Sequence, residues 1–301
     1  MVAVLGLLVA DVAGALEGDL FQDWFLWAVF GLGALLCAVR AYQVPEERLA
    51  WSLFAAGWAF YVAGGIVFQV VLHESSARFP SAADVLWLGL YVCDLAAVGA
   101  LMRARGIGNK AAWLDGAVGS LAVAAAAAAF AFQPALDAAG TSNIVVVAYP
   151  LLDCLLVGFV VVVASAEGWR LDRTFGLLAL GFIGLAAGDA QYLVSAANGT
   201  WTPGQSQNIP YVLGTLFVCM AAWQPGLQRQ VDEFEARMFT IPTAFGLVAV
   251  GLQAYEFVIP VNGLARSLDV LAILAVVVRL GFTFRDYARV LEASRHEALV
   301  D

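Results

Sequence analysis

The sequence predicts an all-α fold, a polytopic transmembrane helix bundle of about ten spans. Three observations carry this prediction. Of 301 residues, 62% are hydrophobic and only 13% are charged, too little polar surface to cover a water-soluble domain. Apolar runs long enough to cross a bilayer at about 1.5 Å per residue recur along the whole chain. The basic residues fall in alternate connections between those runs, as expected when Lys and Arg accumulate in short cytoplasmic loops.

Residues 2–16 make the first span, which is short and carries Asp11. Its alternative reading is a signal peptide with Ala13 and Ala15 as an A-x-A site, against which stands the lack of a basic leading region. Residues 24–41 make the second span, with Arg40 and Arg48 around the following connection, and residues 49–72 the third, with Arg78 beyond it. The fourth span, 85–102, begins behind Asp84 and is followed by Arg103, Arg105 and Lys110; the fifth, 113–132, carries Asp115 near its start. Carboxylates at helix starts satisfy free backbone N–H groups and favour the positive dipole end, so Asp84 and Asp115 read as caps. The sixth span, 143–166, contains Pro150 and leads to Arg170 and Arg173, ahead of the seventh, 174–197. A short eighth span, 209–223, precedes Arg229 and Arg237; the ninth, 241–259, precedes Arg266. The tenth, 268–284, holds Arg279 and is followed by Arg285, Arg289 and Arg295. With both termini in the cytoplasm, thirteen basic residues lie on that side, and Arg78 and Arg266 lie outside.

Every connection is short, the longest outside loops being 133–142 and 198–208, so a stimulus from outside must be read by the bundle or its mouth. The formal net charge of −9 is dispersed over loops and helices rather than gathered in a run, and nothing points to nucleic acid. Cys37, Cys93, Cys154 and Cys219 all fall within spans and without C-x-x-C spacing, which suits small apolar packing residues.

A weak internal repeat runs through the chain. Gly57, Gly64 and Phe68 of the third span align with Gly181, Gly188 and Tyr192 of the seventh, and the L-Y-V-C at 90–93 aligns with the L-F-V-C at 216–219. The pattern describes a parallel four-helix duplication with two helices appended, or a chance likeness between apolar helices. The aligned glycines read as close-packing faces.

The last helix continues past the membrane. Val277, Leu280, Phe284, Tyr287, Leu291, Ser294 and Ala298 alternate spacings of three and four, a heptad seam flanked by Arg285, Asp286, Arg289, Glu292, Arg295 and Glu297. The chain divides accordingly into a transmembrane input bundle, 1–284, and a cytoplasmic signalling helix, 285–301, whose seam suits a parallel homodimer. A short amphipathic tail helix is the competing reading.

Ionisable groups within spans are costly and mark candidate sites. Asp94 and Asp153 each lie about ten residues into their spans, near mid-membrane. Asp189, with Gln191 and Tyr192 beside it, Gln69 and Glu256 lie at outer levels. Together with Tyr91 and Tyr149 these residues outline a polar cavity opening outward, with Asp94 and Asp153 as its floor and an unidentified small molecule or lipid as ligand. Alternatively the carboxyl groups are interhelical glue bonded to Tyr and Trp side chains.

Missing residues remove several chemistries. The only lysine, Lys110, is in a loop, which excludes a retinal Schiff base in a span; His73 and His296 lie outside the spans, excluding a bis-histidine haem and H-E-x-x-H zinc chemistry in the bundle. The run Ala186-Ala187-Gly188-Asp189 lacks the first glycine of the G-x-G-D motif of aspartyl intramembrane proteases. No cofactor or metal is expected.

F-P-S-A-A-D-V-L-W-L-G-L-Y at 79–91, W-L-D-G at 113–116, A-Y-P-L-L-D at 148–153 and G-D-A-Q-Y at 188–192 resemble the multi-span amino-terminal region of actinobacterial diguanylate cyclases, in which a GGDEF domain follows, often with an EAL domain after it. The tail A-S-R-H-E-A-L-V-D at 293–301 is similar to the signalling helix leading into the D-x-L-T-G-L-x-N-R start of that domain, with Asp301 as the opening aspartate. The resemblance implies an input module of cyclic di-GMP signalling in a bacterial inner membrane. No G-G-D-E-F or E-A-L motif occurs in these residues, so this chain itself is not expected to be an enzyme. The rival reading is a small-solute transporter using Asp94, Asp153 and Asp189, for which internal repeats and mid-membrane carboxylates are typical.

Overall fold

A computed structural model of the chain describes residues 19–72, 81–107, 110–130, 144–166, 172–197, 208–225 and 240–297. Among them the regular structure is entirely helical: α1 (Asp19–Gln43), a 3-10 turn (Pro45–Glu47), α2 (Arg48–Ile66) ending in a π turn (Val67–Val71), α3 (Ala82–Ala104), α4 (Lys110–Phe130), α5 (Ile144–Ala166), α6 (Arg173–Ala197), α7 (Asn208–Ala222), α8 (Thr240–Glu256) and α9 (Gly263–Glu297). Among the described residues six apolar helical stretches are long enough to cross a membrane: Trp24–Gln43, Pro45–Val71, Ala82–Ala104, Trp113–Phe130, Arg173–Tyr192 and Gly263–Arg289. Ala148–Val160 and Asn208–Ala222 are shorter apolar helices. The predicted first span, 2–16, with its alternative as a signal peptide, lies outside the described residues.

Local chemistry sets several boundaries. Asp84 Oδ2 accepts the Ser81 N–H at 2.6 Å and the Ser81 hydroxyl at 2.9 Å, so Asp84 starts α3 in the role predicted for it. That helix ends at Gly106, whose φ of 67° lets the Ile107 N–H reach the Met102 carbonyl at 2.8 Å and the Gly106 N–H reach Arg103 at 3.2 Å, the pair of bonds that closes a helix through a left-handed glycine. Asp172 caps α6 by accepting the Phe175 N–H at 2.8 Å, and Asn262 caps α9 through the Ala265 N–H at 2.8 Å.

Six helices close into a ring. Contacts run α1 to α2, α2 to α3, α3 to α5, α5 to α6, α6 to α7, and α7 back to α1. Inside it sit Phe30 and Cys37 of α1, Trp51, Phe54 and Trp58 of α2, Leu101 of α3, Leu156 of α5, Phe182 of α6 and Val218 of α7. Glycines set how closely these helices approach. A Cβ on Gly65 would lie 2.1 Å from the Trp27 ring, and one on Gly184 would lie 2.9 Å from the Gly214 backbone, so α2 lies against an indole of α1 and α6 lies directly against α7. Gly64 and Gly188 likewise seat Trp87 and Tyr211, which makes the aligned glycines packing faces.

One end of the ring is fastened by charge. Arg105, beside the α3 terminus, donates from Nε to Glu47 at 2.7 Å and from Nη1 to Asp172 at 2.5 Å, and lies 5.4 Å from the centre of the Phe175 ring. Trp51 donates its indole N–H to the other Glu47 oxygen at 2.7 Å, and Arg40 bonds the Gln224 carbonyl at 3.0 Å. The α1–α2 turn, α3, α6 and α7 therefore meet in a buried polar clasp.

The other three helices, α4, α8 and α9, pack on one another, and α4 packs on α5. Gly158 of α5 takes the Ser120 side chain of α4, with a hypothetical Cβ only 2.7 Å from the Ser120 Cα. Here the structure corrects two sequence readings. Asp115 is not a terminal cap: it lies five residues into α4 and binds Arg279 of α9, Nε to Oδ1 at 2.7 Å and Nη2 to Oδ2 at 3.3 Å. Arg279, counted with the loop charges, is only 1% exposed, and it also donates to Thr283. A basic residue at a span's end looks like a loop charge until its carboxylate partner on a distant helix is known. On the predicted seam Leu280 is half-buried and Phe284 and Tyr287 are exposed. Leu291 and Ser294 fall within α9, and Ala298 lies outside the described residues.

Candidate functional site

The ring brings together three of the predicted site residues from three helices. Asp189 of α6 accepts hydrogen bonds from the Tyr91 hydroxyl of α3 and the Tyr211 hydroxyl of α7. Asp153 of α5 lies within hydrogen-bonding reach of both Asp189 and Tyr91. Asp153 is 4% exposed, and its Oδ1 is buried with no hydrogen-bond donor. Helix geometry explains the convergence: Asp189 follows Gly188, whose lack of a side chain admits the Tyr211 ring, with a hypothetical Cβ 2.7 Å from it.

An aromatic wall surrounds this pair. The Tyr91 ring meets Tyr149 edge-on at 6.0 Å, and the Tyr149 hydroxyl donates to Asp84 Oδ1 at 2.9 Å. Tyr61 of α2 lies 6.4 Å from the Tyr211 ring and touches Trp27, Phe30 and Trp58. The polar groups thus run from the start of α3 at Asp84 inward through Tyr149 and Tyr91 to the carboxyl pair.

Asp94 lies three residues beyond Tyr91, on the same face of α3. It is fully buried, neither of its oxygens has a partner, and the missing Gly57 side chain makes its space, since a Cβ there would be 2.9 Å from Oδ1. Tyr192 is on the α6 surface three residues past Asp189, and Gln191 is half-buried beside it. Gln69, in the π turn, accepts the Trp27 indole N–H at 2.8 Å. Glu256 is not brought to the cluster: it stands at the end of α8 and forms an ion pair with Arg266 on α9.

A groove of about 300 Å³ runs between α1 and α7, lined by Leu32, Gly33, Leu36, Thr215, Cys219 and Met220 among others. None of the predicted carboxylates borders it. Among the described residues no group of three or more His, Cys, Asp or Glu side chains is arranged to hold a metal ion.

Sequence reasoning missed Tyr211 and Tyr61, the aromatic partners of the pair, and Asp269, which accepts the Gln253 amide at 2.6 Å between α8 and α9. Tyr211 had one available signal, its place at the start of a span facing the aligned Gly188. Comparison of the chain with protein-family models, with curated proteins and with solved structures finds no match, so the functional reading rests on these residues and on the motifs of the sequence itself.

Proposed function

We propose that the chain is the membrane-embedded input region of a cyclic di-GMP signalling protein, which reads a stimulus in the helix ring and relays it through α9 to a GGDEF-type output beyond Asp301. The observation that carries this reading is the length of α9 and its attachment. At about 1.5 Å per residue its 35 residues extend about 52 Å, well beyond the roughly 30 Å of bilayer hydrocarbon. Among the described residues α9 packs chiefly on α4 and α8; the path from the ring runs from Asp153 on α5, through the Gly158–Ser120 crossing to α4, and through Asp115 to Arg279. A shift of α5 against α6 has a rigid route to the long helix.

The finer architecture belongs to the same proposal: ten spans, both ends in the cytoplasm, and a bacterial inner membrane. The duplication gains support from the contact pattern of the ring. Under the sequence offset α2 pairs with α6 and α3 with α7, and the contacts α1 to α7 and α3 to α5 then correspond. A homodimer through α9 draws on the exposure of Phe284 and Tyr287 in the last turns of its apolar stretch. A cysteine at Tyr287 should crosslink between two copies; failure there, with ready crosslinking from a cysteine at Arg289, would refute the register. The alternative, a small-solute transporter, draws on the carboxyl pair, yet Tyr91 and Tyr211 both bond Asp189 and the groove between α1 and α7 borders neither carboxylate.

The native reading frame tests the proposal. It is expected to continue past Asp301 into L-T-G-L and then G-G-D-E-F, and a frame that closes at Asp301 would leave the relay without an output.

A further inference from the structure

We infer that Asp153 and Asp189 form a binding site for one monovalent cation, a proton or a sodium ion, held between the two carboxyl groups inside the helix ring. This inference rests on the input-region reading only for its meaning as a stimulus; the site stands on its own geometry.

Donors and acceptors around the pair do not balance. Asp189 accepts two hydroxyl hydrogens, from Tyr91 and Tyr211. Asp153 faces Asp189 within hydrogen-bonding reach, and its Oδ1 is buried without any donor. Two carboxyl groups present only acceptor oxygens to each other when both are ionised, and like charges so close together within a helix bundle repel strongly. A positive species between them removes both difficulties at once.

The surroundings fix its charge. The titratable groups facing the pair are Tyr61 from α2, Tyr91 from α3, Tyr149 and Cys154 from α5, Tyr192 from α6 and Tyr211 from α7. Among the described residues no Lys, Arg or His faces the pair, so these neighbours bring no positive charge. With only two carboxyl groups, one of them already stabilised by two hydroxyl donors, a single positive charge suffices, and among the described residues no third carboxylate, His or Cys joins the pair to hold a divalent ion. The oxygens of the carboxyl pair and the hydroxyls of Tyr91 and Tyr211 suit a small alkali cation, and the same carboxyl pair suits a shared proton.

Occupancy bears directly on packing. Asp153 is on α5 and Asp189 is on α6, so loss of the bridging charge separates the two helices, and α5 is the helix that touches α4.

Infrared difference spectroscopy of the full 301-residue chain in lipid nanodiscs tests the site, titrated with pH and with sodium chloride against choline chloride. A protonated-carboxyl band at neutral pH that is insensitive to sodium, and is lost in both Asp153→Asn and Asp189→Asn, identifies the occupant as a proton. A band that sodium converts to carboxylate signals, while choline does not, identifies it as sodium. A wild-type chain showing neither a protonated-carboxyl band nor a sodium-dependent change overturns the inference, as does a band that neither variant diminishes, the buried Asp94 carboxyl giving a constant background in all three proteins. The wild-type titrations need no variant to fold. No cyclase output enters the readout, so a negative result here leaves the signalling proposal standing, and a closed reading frame leaves the cation site standing.

Discussion

Replacing Arg279 by leucine is expected to lower the stability of the protein by about 3–5 kcal/mol, the usual cost of removing one member of a buried ion pair. Three of the Arg279 hydrogen bonds reach side chains, two to Asp115 and one to Thr283. Its removal leaves the Asp115 carboxylate buried among helices with no cation. Hydrogen bonds between uncharged groups within membranes are worth only about 0.6 kcal/mol on average, so a loss of that size would mean that Asp115 has found water or a proton. The double substitution Asp115→Leu with Arg279→Met is expected to return close to wild-type stability, because apolar residues of similar volume replace a buried pair at little net cost. Unfolding in mixed micelles, followed by circular dichroism, measures both. A single variant within about 0.5 kcal/mol of wild type, the range of ordinary surface changes, would contradict the buried position of the pair.

The pair also marks how far sequence reasoning reached. Helices were legible because lipid leaves a plain record: long apolar runs, with charge confined between them. The packing faces at Gly57, Gly64, Gly181 and Gly188 were legible as well, since small residues at helical spacing have one common use in membranes. Asp94, Asp153, Asp189 and Tyr91 stood out because ionisable or hydroxylated groups are rare in such runs. What remained hidden was pairing. Asp115 and Arg279 are 164 positions apart, and nothing local distinguishes an arginine that enters the bundle from one that ends a span. Glu256 sits at a level in its helix similar to that of the site residues, yet α8 belongs to the other helix group and sends it to Arg266. Depth in the membrane follows from position along a span, whereas azimuth around the bundle follows only from which helices are neighbours. For the same reason Tyr211 escaped notice, although it supplies half of the hydroxyl contacts to Asp189.

The second large effect is expected in the output itself. If α9 transmits a rotation or shift, its consequence depends on helical phase: one residue inserted after Arg289 turns everything downstream by about 100°, whereas seven residues restore the direction to within about 20°. An input change is available without knowledge of the stimulus, because Asp153→Asn with Asp189→Asn alters the α5–α6 contact from within. The most direct measurement is therefore the cyclic di-GMP content of cells carrying the chain joined after Asp301 to the GGDEF domain proposed as its output. The carboxyl substitutions are expected to shift that content several-fold in the uninterrupted protein and in the seven-residue insertion, and to lose their effect in the one-residue insertion. Equal cyclic di-GMP in all of these proteins, with or without the two carboxyl groups, would contradict a relay through α9.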